Sequence, residues 1–181
     1  MIWMAALLHL RFRPRMLNAA VLMAVTPLAA CSQSAAEPVR HAINVEIQLG
    51  VEATREQDID TYMALIPVES QVRDESGAIV TRDELRADVL RDWSIIDRTL
   101  AISVAIGSLT VDRDSAVVFT SQIWERMMFR PDGVTLDTVL TTQEHRESWR
   151  LTSAGWRNFM TIELGGTVGI NGEPYCPPEG R

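Results

Sequence analysis

Polar residues suited to acid-base chemistry lie on one predicted strand, the extended run from Val134 to Leu151. Four of them share the parity of the apolar Val139 and Trp149, namely Thr141, Gln143, His145 and Glu147. Residues of one parity lie on one face of a strand, so a core-facing Trp149 would place them in a pocket. His145 is then a candidate catalytic acid or base, because imidazole changes its charge near neutral pH. Two alternatives stay open: a bulge reverses the parity, or the far strand end is solvated and His145 joins a surface charge network with Glu144 and Arg146.

A second set of candidate residues consists of aromatic and amide side chains that can line a ligand pocket. On the preceding extended run, Trp124 shares its parity with Gln122. Large aromatic rings stack on flat or apolar ligands, although they are more often part of an ordinary core. The candidate ligand-binding residues are Tyr62, Trp93, Gln122, Trp124, Gln143 and Trp149.

The composition excludes several classes of function. The 181 residues contain 17 Lys+Arg against 24 Asp+Glu, and every basic residue is arginine. Without lysine there is no Schiff-base chemistry, no lysine-dependent P-loop and no protein-kinase chemistry. The net charge of -7 argues against nucleic acid as a partner. After the N-terminal segment only His41 and His145 remain, with no Cys-x-x-Cys or His-Glu-x-x-His motif, so we expect no metal and no cofactor.

The N-terminal segment has the layout of a bacterial signal peptide. Residues 1–30 contain three arginines and no acid, and the apolar run from Met16 to Ala30 is shorter than the roughly 20 residues of a membrane-spanning helix. Leu28-Ala29-Ala30-Cys31 resembles the lipobox of lipoproteins, which predicts lipid attachment to Cys31. No aspartate follows Cys31, so we expect a lipid anchor in the outer membrane with the domain facing the periplasm. The alternatives are secretion as a soluble protein after cleavage at Ser34-Ala35-Ala36, and a buried N-terminal helix.

The predicted elements that position these residues begin with helices. Residues 31–38 are predicted to be a tether. The alternation of residues 39–55, taken alone, predicts a strand, although Ile43, Ile47 and Val51 also fit a four-residue helical step. A helix is predicted from Gln57 to Ile66, where Pro67 ends it. The turn sequence Asp74 to Gly77 predicts a hairpin. Thr81 and Glu84 then form a capping box that begins a further helix.

After residue 98 the apolar period changes to two, which predicts strands. A slip of phase at Gly107-Ser108 indicates a bulge, and turns at residues 112–114, 130–133 and 153–155 join four strands into an antiparallel meander. Gly165-Gly166 is interpreted as a strand-end break, and Asn171-Gly172 can close one more hairpin in a loose tail over residues 171–181. Helices followed by a bent sheet make an α+β domain, and the cone between them favours a pocket.

Three segments of the chain resemble, in the same order and at the same spacing, sequence patterns of one fold family. The first segment, Ala53 to Tyr62, resembles the family's first-helix pattern. The second, Gly77 to Leu85, resembles the pattern that leads from a hairpin into a helix. The third, Ser148 to Arg157, resembles the closing strand-turn-strand pattern with two tryptophans. The chain thus resembles the nuclear transport factor 2-like superfamily, which includes ketosteroid-isomerase-like domains. The resemblance implies one domain over residues 39–170, with a curved antiparallel sheet, a four-stranded meander plus a short hairpin, wrapped around three helices as a cone-shaped α+β barrel. It also makes residues 39–55 a helix.

The resemblance leaves two functions in view, because the superfamily contains both enzymes and binding modules. In its isomerase pattern a carboxylate stands where Asp74 stands here, and an apolar cone would raise the pKa of that carboxyl for use as a general base. Glu75 and Ser76 depart from that pattern's apolar, proline-containing surroundings. We therefore expect a non-catalytic binder of a small apolar ligand or a partner protein, with an isomerase or dehydratase using Asp74 and His145 as the alternative. A homodimer through an apolar outer sheet face is a third expectation.

Overall fold

A computed structural model describes the backbone of residues 30–176 and the side chains of residues 36–176. Residues 1–29 of the predicted signal peptide and the Cys31 side chain lie outside these ranges. Three helices and seven strands follow one another in this order: α1 (Ala30–Glu56), α2 (Ile59–Ala64), β1 (Gln71–Arg73), β2 (Ile79–Thr81), α3 (Arg82–Trp93), β3 (Ile96–Asp112), β4 (Ser115–Phe129), β5 (Leu136–Thr152), β6 (Gly155–Ile170) and β7 (Glu173–Pro174). The α+β class is confirmed.

The long helix α1 settles the ambiguous pattern of residues 39–55 in favour of a helix. Ile43 and Val51 are buried against the domain, whereas Val45 and Leu49, which a strand would place on the same face, are exposed. α1 begins at Ala30, so the backbone of residues 31–38, which were predicted to be a tether, is helical. Ala35, Ala36 and Glu37 favour helix, and the segment continues through Pro38 into the packed part of α1.

Each of the two shorter helices begins after a capping residue, and the cap of α3 is the predicted one. The Asp58 carboxylate accepts a hydrogen bond from Thr61 N at 3.0 Å and caps α2, which is shorter at both ends than the predicted helix. The capping box is confirmed at α3, where the Glu84 carboxylate accepts from Thr81 N at 2.8 Å. At the other end of α3, Trp93 is only 7% exposed and points into the domain.

All seven strands form one curved, unclosed sheet in the order β2-β1-β6-β5-β4-β3, with β7 paired to β6. The hairpin β1–β2 and the antiparallel meander from β3 to β6 are confirmed. The sheet is mixed, because β1 runs parallel to β6. The bulge predicted at Gly107-Ser108 corresponds to a register shift between Ile106 and Ser108, and two further shifts lie earlier in β3.

The glycine pair in β6 corrects one interpretation. β6 continues through Gly165 and Gly166 to Ile170, so they do not end the strand. A Cβ atom at Gly166 would stand 2.1 Å from the Thr142 carbonyl oxygen on β5, so only glycine lets the two backbones approach this closely. Asn171-Gly172 closes the predicted hairpin onto β7, and the start of the tail is therefore paired rather than loose.

The main core lies where α1 crosses the sheet. Its buried members are Ile43, Ala116, Val118, Trp149 and Trp156. These residues join the helix to β4, β5 and β6, and they fill the inner end of the concave face. Within residues 30–176, no helix is both long enough and apolar enough to cross a membrane.

Candidate functional site

The polar residues of β5 lie on the concave face of the sheet together with the core. The register between β4 and β5 has no shift, and it places Thr120 opposite His145, Gln122 opposite Gln143 and Trp124 opposite Thr141. This parity also carries the buried Val118 and Trp149, so the alternative of a bulge that reverses β5 is wrong. The concave face therefore changes along its length from an apolar core to a polar middle.

Glu147 is the buried carboxylate of this face, at 8% exposure. Its Oε1 accepts a hydrogen bond from Thr120 Oγ1 at 2.9 Å, and its Oε2 accepts from Trp149 Nε1 at 2.7 Å. Burial raises the pKa of the Glu147 carboxyl, while these two hydrogen bonds act in the opposite direction. Burial also raises the pKa of Tyr62, and the negative charge of Glu147 adds to that effect. Parity with Trp149 placed Glu147 in the predicted pocket, but Glu147 was not chosen as a catalytic or ligand-binding residue.

His145 lies next along the same face and carries no charge at neutral pH. Burial lowers the pKa of its imidazole to about 4, so the neutral form prevails well below pH 7. Its cross-strand neighbours are Thr120 on β4 and Glu163 on β6. A neutral, half-buried imidazole fits the pocket interpretation better than the surface charge network.

Glu163 is a site residue that sequence reasoning missed. Burial raises the pKa of its carboxyl to about 7, and the charges of Glu75 and Asp74 contribute. Two register shifts separate β6 from β5, between Glu144 and His145 and between Ser148 and Trp149. Because these shifts break the alternation of β6, no parity argument could place Glu163 beside His145.

Asp74 lies in the turn of the β1–β2 hairpin. Its Oδ1 accepts from Ser76 Oγ at 2.7 Å and from Ala78 N at 2.8 Å. These bonds, led by the one from Ser76, lower the pKa of Asp74 and outweigh the effect of burial. The predicted rise in the pKa of Asp74 is therefore wrong, because turn hydrogen bonds stabilise the charged form.

The predicted aromatic residues divide between the core and the open part of the concave face. Trp93 makes an edge-to-face contact with Tyr62, with ring centroids 5.8 Å apart. Trp149 belongs to the core and orients Glu147. Trp124 is half-buried and donates from Nε1 to Thr99 Oγ1 at 3.2 Å. The Arg126 guanidinium carbon stands 4.1 Å above the Trp124 ring centroid.

The middle of the concave face is lined by the half-buried residues Gln122, Trp124, Thr141, Gln143 and His145, and we call this part of the face the hollow. Each of these side chains keeps part of its surface accessible. A separate shallow groove beside the N-terminal part of α1 contains none of the predicted site residues. Across residues 36–176, no three His, Cys, Asp or Glu side chains converge in a way that could hold a metal ion. The hollow offers aromatic stacking, amide hydrogen bonds and a neutral imidazole.

No protein-family model and no curated protein matches this chain. Solved structures do resemble it. A candidate scytalone dehydratase from Novosphingobium aromaticivorans has a TM-score of 0.65 at 12% identity, covering 82% of this chain and 98% of that one. An NTF2-like protein from Cytophaga hutchinsonii has a TM-score of 0.54 at 15% identity, covering 68% and 95%. A ketosteroid isomerase-like protein from Erwinia carotovora atroseptica has a TM-score of 0.53 at 15% identity, covering 69% and 95%. The chain thus has the nuclear transport factor 2-like fold that its sequence segments resemble.

Proposed function

We propose that the protein binds a small, largely apolar ligand in the hollow without transforming it. The observation that carries this proposal is the state of Glu147, whose two carboxylate oxygens each accept a hydrogen bond from the protein itself. A carboxylate held in this way is a structural acceptor between Thr120 and Trp149. The half-buried Trp124, Gln122 and Gln143 are left as the contact surface for a ligand.

Native mass spectrometry of the protein purified from its own membrane fraction tests this function. We expect a retained small molecule whose occupancy falls when Trp124 is replaced by alanine. The matched control is Phe119→Ala, which removes a 42% exposed aromatic ring from the other face of β4. A partner protein in place of the small molecule is the other form of binding that the fold allows. Protein that carries no small molecule, in wild type and variant alike, would contradict ligand binding.

An isomerase or dehydratase is the second candidate, with Glu147 rather than Asp74 as the pocket carboxylate. Two features favour an enzyme: the pKa of Glu147 is raised, and Glu147 lies two residues from the neutral His145 on the same face of β5. Turnover of a β,γ-unsaturated ketone to its conjugated isomer, followed by absorbance, separates the two functions. An enzyme would lose this turnover in Glu147→Gln, whereas a binding protein shows none in the wild type.

We further propose that Cys31 carries the lipid anchor and that the domain faces the periplasm at the outer membrane. The support is the lipobox-like quartet that ends at Cys31 and the absence of aspartate after it. Labelling of cells with an alkyne fatty acid tests the anchor, since Cys31→Ser should abolish incorporation. Wild-type protein that is unlabelled and released in soluble form would instead support secretion.

A homodimer through the outer sheet face is also proposed. Phe119 and Ile123 are 42% and 50% exposed there, while Val117 is half-buried rather than exposed. Such neighbouring apolar side chains favour burial against a second copy. Ile123→Glu should convert the dimer to a monomer in light scattering after size-exclusion chromatography. Val68→Glu, at a 78% exposed residue outside the sheet, is the control for an apolar side chain replaced by a charge and should leave the dimer intact.

A further inference from the structure

We propose that the ligand of the hollow is an organic acid whose carboxylate pairs with Arg126 while its apolar body stacks on Trp124. The inference rests on the proposed ligand-binding function and adds the chemical class of the ligand. Arg126 stands on β4 with the parity of Gln122 and Trp124, opposite Thr99 on β3 and the buried Val139 on β5. It is therefore a cation on the concave face.

The hydrogen bonds of Arg126 occupy one side of its guanidinium. Nη1 donates to Thr141 Oγ1 at 3.0 Å and, with longer geometry, to the Trp124 carbonyl oxygen at 3.5 Å. Nε is buried and has no hydrogen-bond partner among residues 36–176. A buried donor without an acceptor is uncommon in a folded protein, and it destabilises the protein unless something else supplies the acceptor.

Arg126 also has no counter-charge in direct contact. In the described part of the chain, no carboxylate oxygen lies within the 4.0 Å of an ion pair with it. The negative charge of Asp92 acts on Arg126 only at longer range. The direct ion-pair contact of Asp92 is with Arg91, whose Nε lies 3.9 Å from Asp92 Oδ1. Burial lowers the pKa of Arg126 to about 10, which leaves it fully charged at neutral pH. A buried charge without a partner is costly, and an anionic ligand would remove that cost.

The free side of the guanidinium fits a carboxylate. With Nη1 engaged by Thr141, the edge that carries Nε and Nη2 makes no hydrogen bond within residues 36–176, and it can form two parallel hydrogen bonds to the two oxygens of one carboxylate once the side chains that cover Nε move aside. The Trp124 ring already packs against the guanidinium, and its remaining apolar surface can take a flat or aliphatic ligand body. These features together select an acid with an apolar body over a neutral apolar molecule.

A second arginine on the opposite face provides a matched control. The Arg150 guanidinium carbon lies 4.8 Å from the Phe159 ring centroid, so it too stacks on an aromatic ring. Arg150 is exposed and has the opposite parity to Trp149 on β5, which places it on the outer face. Loss of Arg150 therefore removes an arginine-aromatic contact without touching the hollow.

The test compares 2-naphthoate with 2-naphthamide, two probes of nearly equal shape that differ in charge. Binding is measured by calorimetry on the full chain in lipid nanodiscs, with empty nanodiscs as the blank. We expect the wild type to bind naphthoate about tenfold or more tightly than naphthamide, because charge-assisted bidentate hydrogen bonds are stronger than neutral ones. Arg126→Gln should remove this preference while naphthamide affinity changes less than about twofold, and Arg150→Gln should keep it.

Each outcome either supports or overturns the inference. If the wild type binds both probes equally, the carboxylate assignment fails while the proposed ligand-binding function stands. If the wild type binds neither probe, the assignment fails, and the proposed function fails for aromatic ligands. The comparison of the two probes on the wild type needs no variant, so misfolding of Arg126→Gln, checked by circular dichroism, does not remove the test. Arg126→Lys keeps the charge but not the planar fork, and it should retain only part of the preference.

Discussion

Replacement of Glu163 by glutamine should stabilise the protein at alkaline pH and leave it unchanged at acid pH. The pKa of Glu163 is raised from 4.5 to about 7, first by burial and then by the charges of Glu75 and Asp74. Below pH 4.5 the carboxyl is protonated in both the folded and the unfolded chain, and it has no effect on stability. Between pH 4.5 and 7 only the unfolded chain releases the proton, so the free energy of unfolding falls as the pH rises. Above pH 7 the full destabilisation is present.

The size of this effect follows from the two pKa values. A rise from 4.5 to about 7 corresponds to roughly 3 kcal/mol at 1.36 kcal/mol per pH unit. The carboxyl keeps part of its hydration, and solvent screening reduces the expected gain of Glu163→Gln to about 1–2 kcal/mol at pH 8. For a domain of this size that gain is about 2–8 °C in Tm.

Urea denaturation of wild type and Glu163→Gln at pH 4 and at pH 8 measures the difference. Glu75→Gln should produce a smaller gain at pH 8, because it removes one of the charges that act on Glu163. Glu144→Gln, an exposed carboxylate on the outer face, is the control for the loss of one negative charge. A gain of equal size at both pH values, or a loss of stability at pH 8, would refute the assignment of Glu163 to a desolvated, negatively charged environment.

Three further predictions concern the concave face and the sheet beneath it. Between pH 6.5 and pH 4 only the unfolded chain takes up the His145 proton, so the wild type loses stability as the pH falls. His145→Gln should make this loss about 2 kcal/mol smaller, which urea denaturation across that pH range measures. Thr120→Val should destabilise the fold by about 1–3 kcal/mol, because one oxygen of the buried Glu147 loses its hydrogen-bond donor. When Thr120→Val is added to a protein that already carries Glu147→Leu, the loss of stability should be much smaller. Gly166→Ala should lower the Tm far more than Gly107→Ala, because a new Cβ would meet backbone at 2.1 Å in the first case and at an ordinary 3.6 Å in the second. A similar Tm for the two alanine variants would mean that β5 and β6 can separate at little cost.

Local signals in the sequence predicted much of this fold. The capping box at Thr81, the hairpin turns and the bulge after Ile106 each depend on a few adjacent residues, and the structure contains all of them. The concave polar face could also be predicted, because β4 and β5 pair without a register shift and parity therefore holds along both strands. The parallel contact between β1 and β6 joins residues far apart in the chain, and no local pattern encodes it.

The parts of the site that escaped prediction depend on environment rather than on residue type. The pKa of Asp74 is set by hydrogen bonds from its own turn, and that of Glu163 by a hairpin that reaches β6 through the parallel pairing. The position of Arg126 in a strand of mixed polar and apolar residues gave no indication that its Nε would lack a partner. These properties exist only once the helices and the sheet have come together.

The irregular pairing of β3 has a consequence for how the protein behaves at high local concentration. With 17 residues, β3 forms one edge of the sheet, and a straight edge of this length would be a template for another chain. Three register shifts interrupt it, and Arg40 of α1 donates to the Ile106 carbonyl oxygen at 3.1 Å. A foreign strand would find only short stretches on which to pair, so crowding of many copies on one surface should not lead to fibril growth.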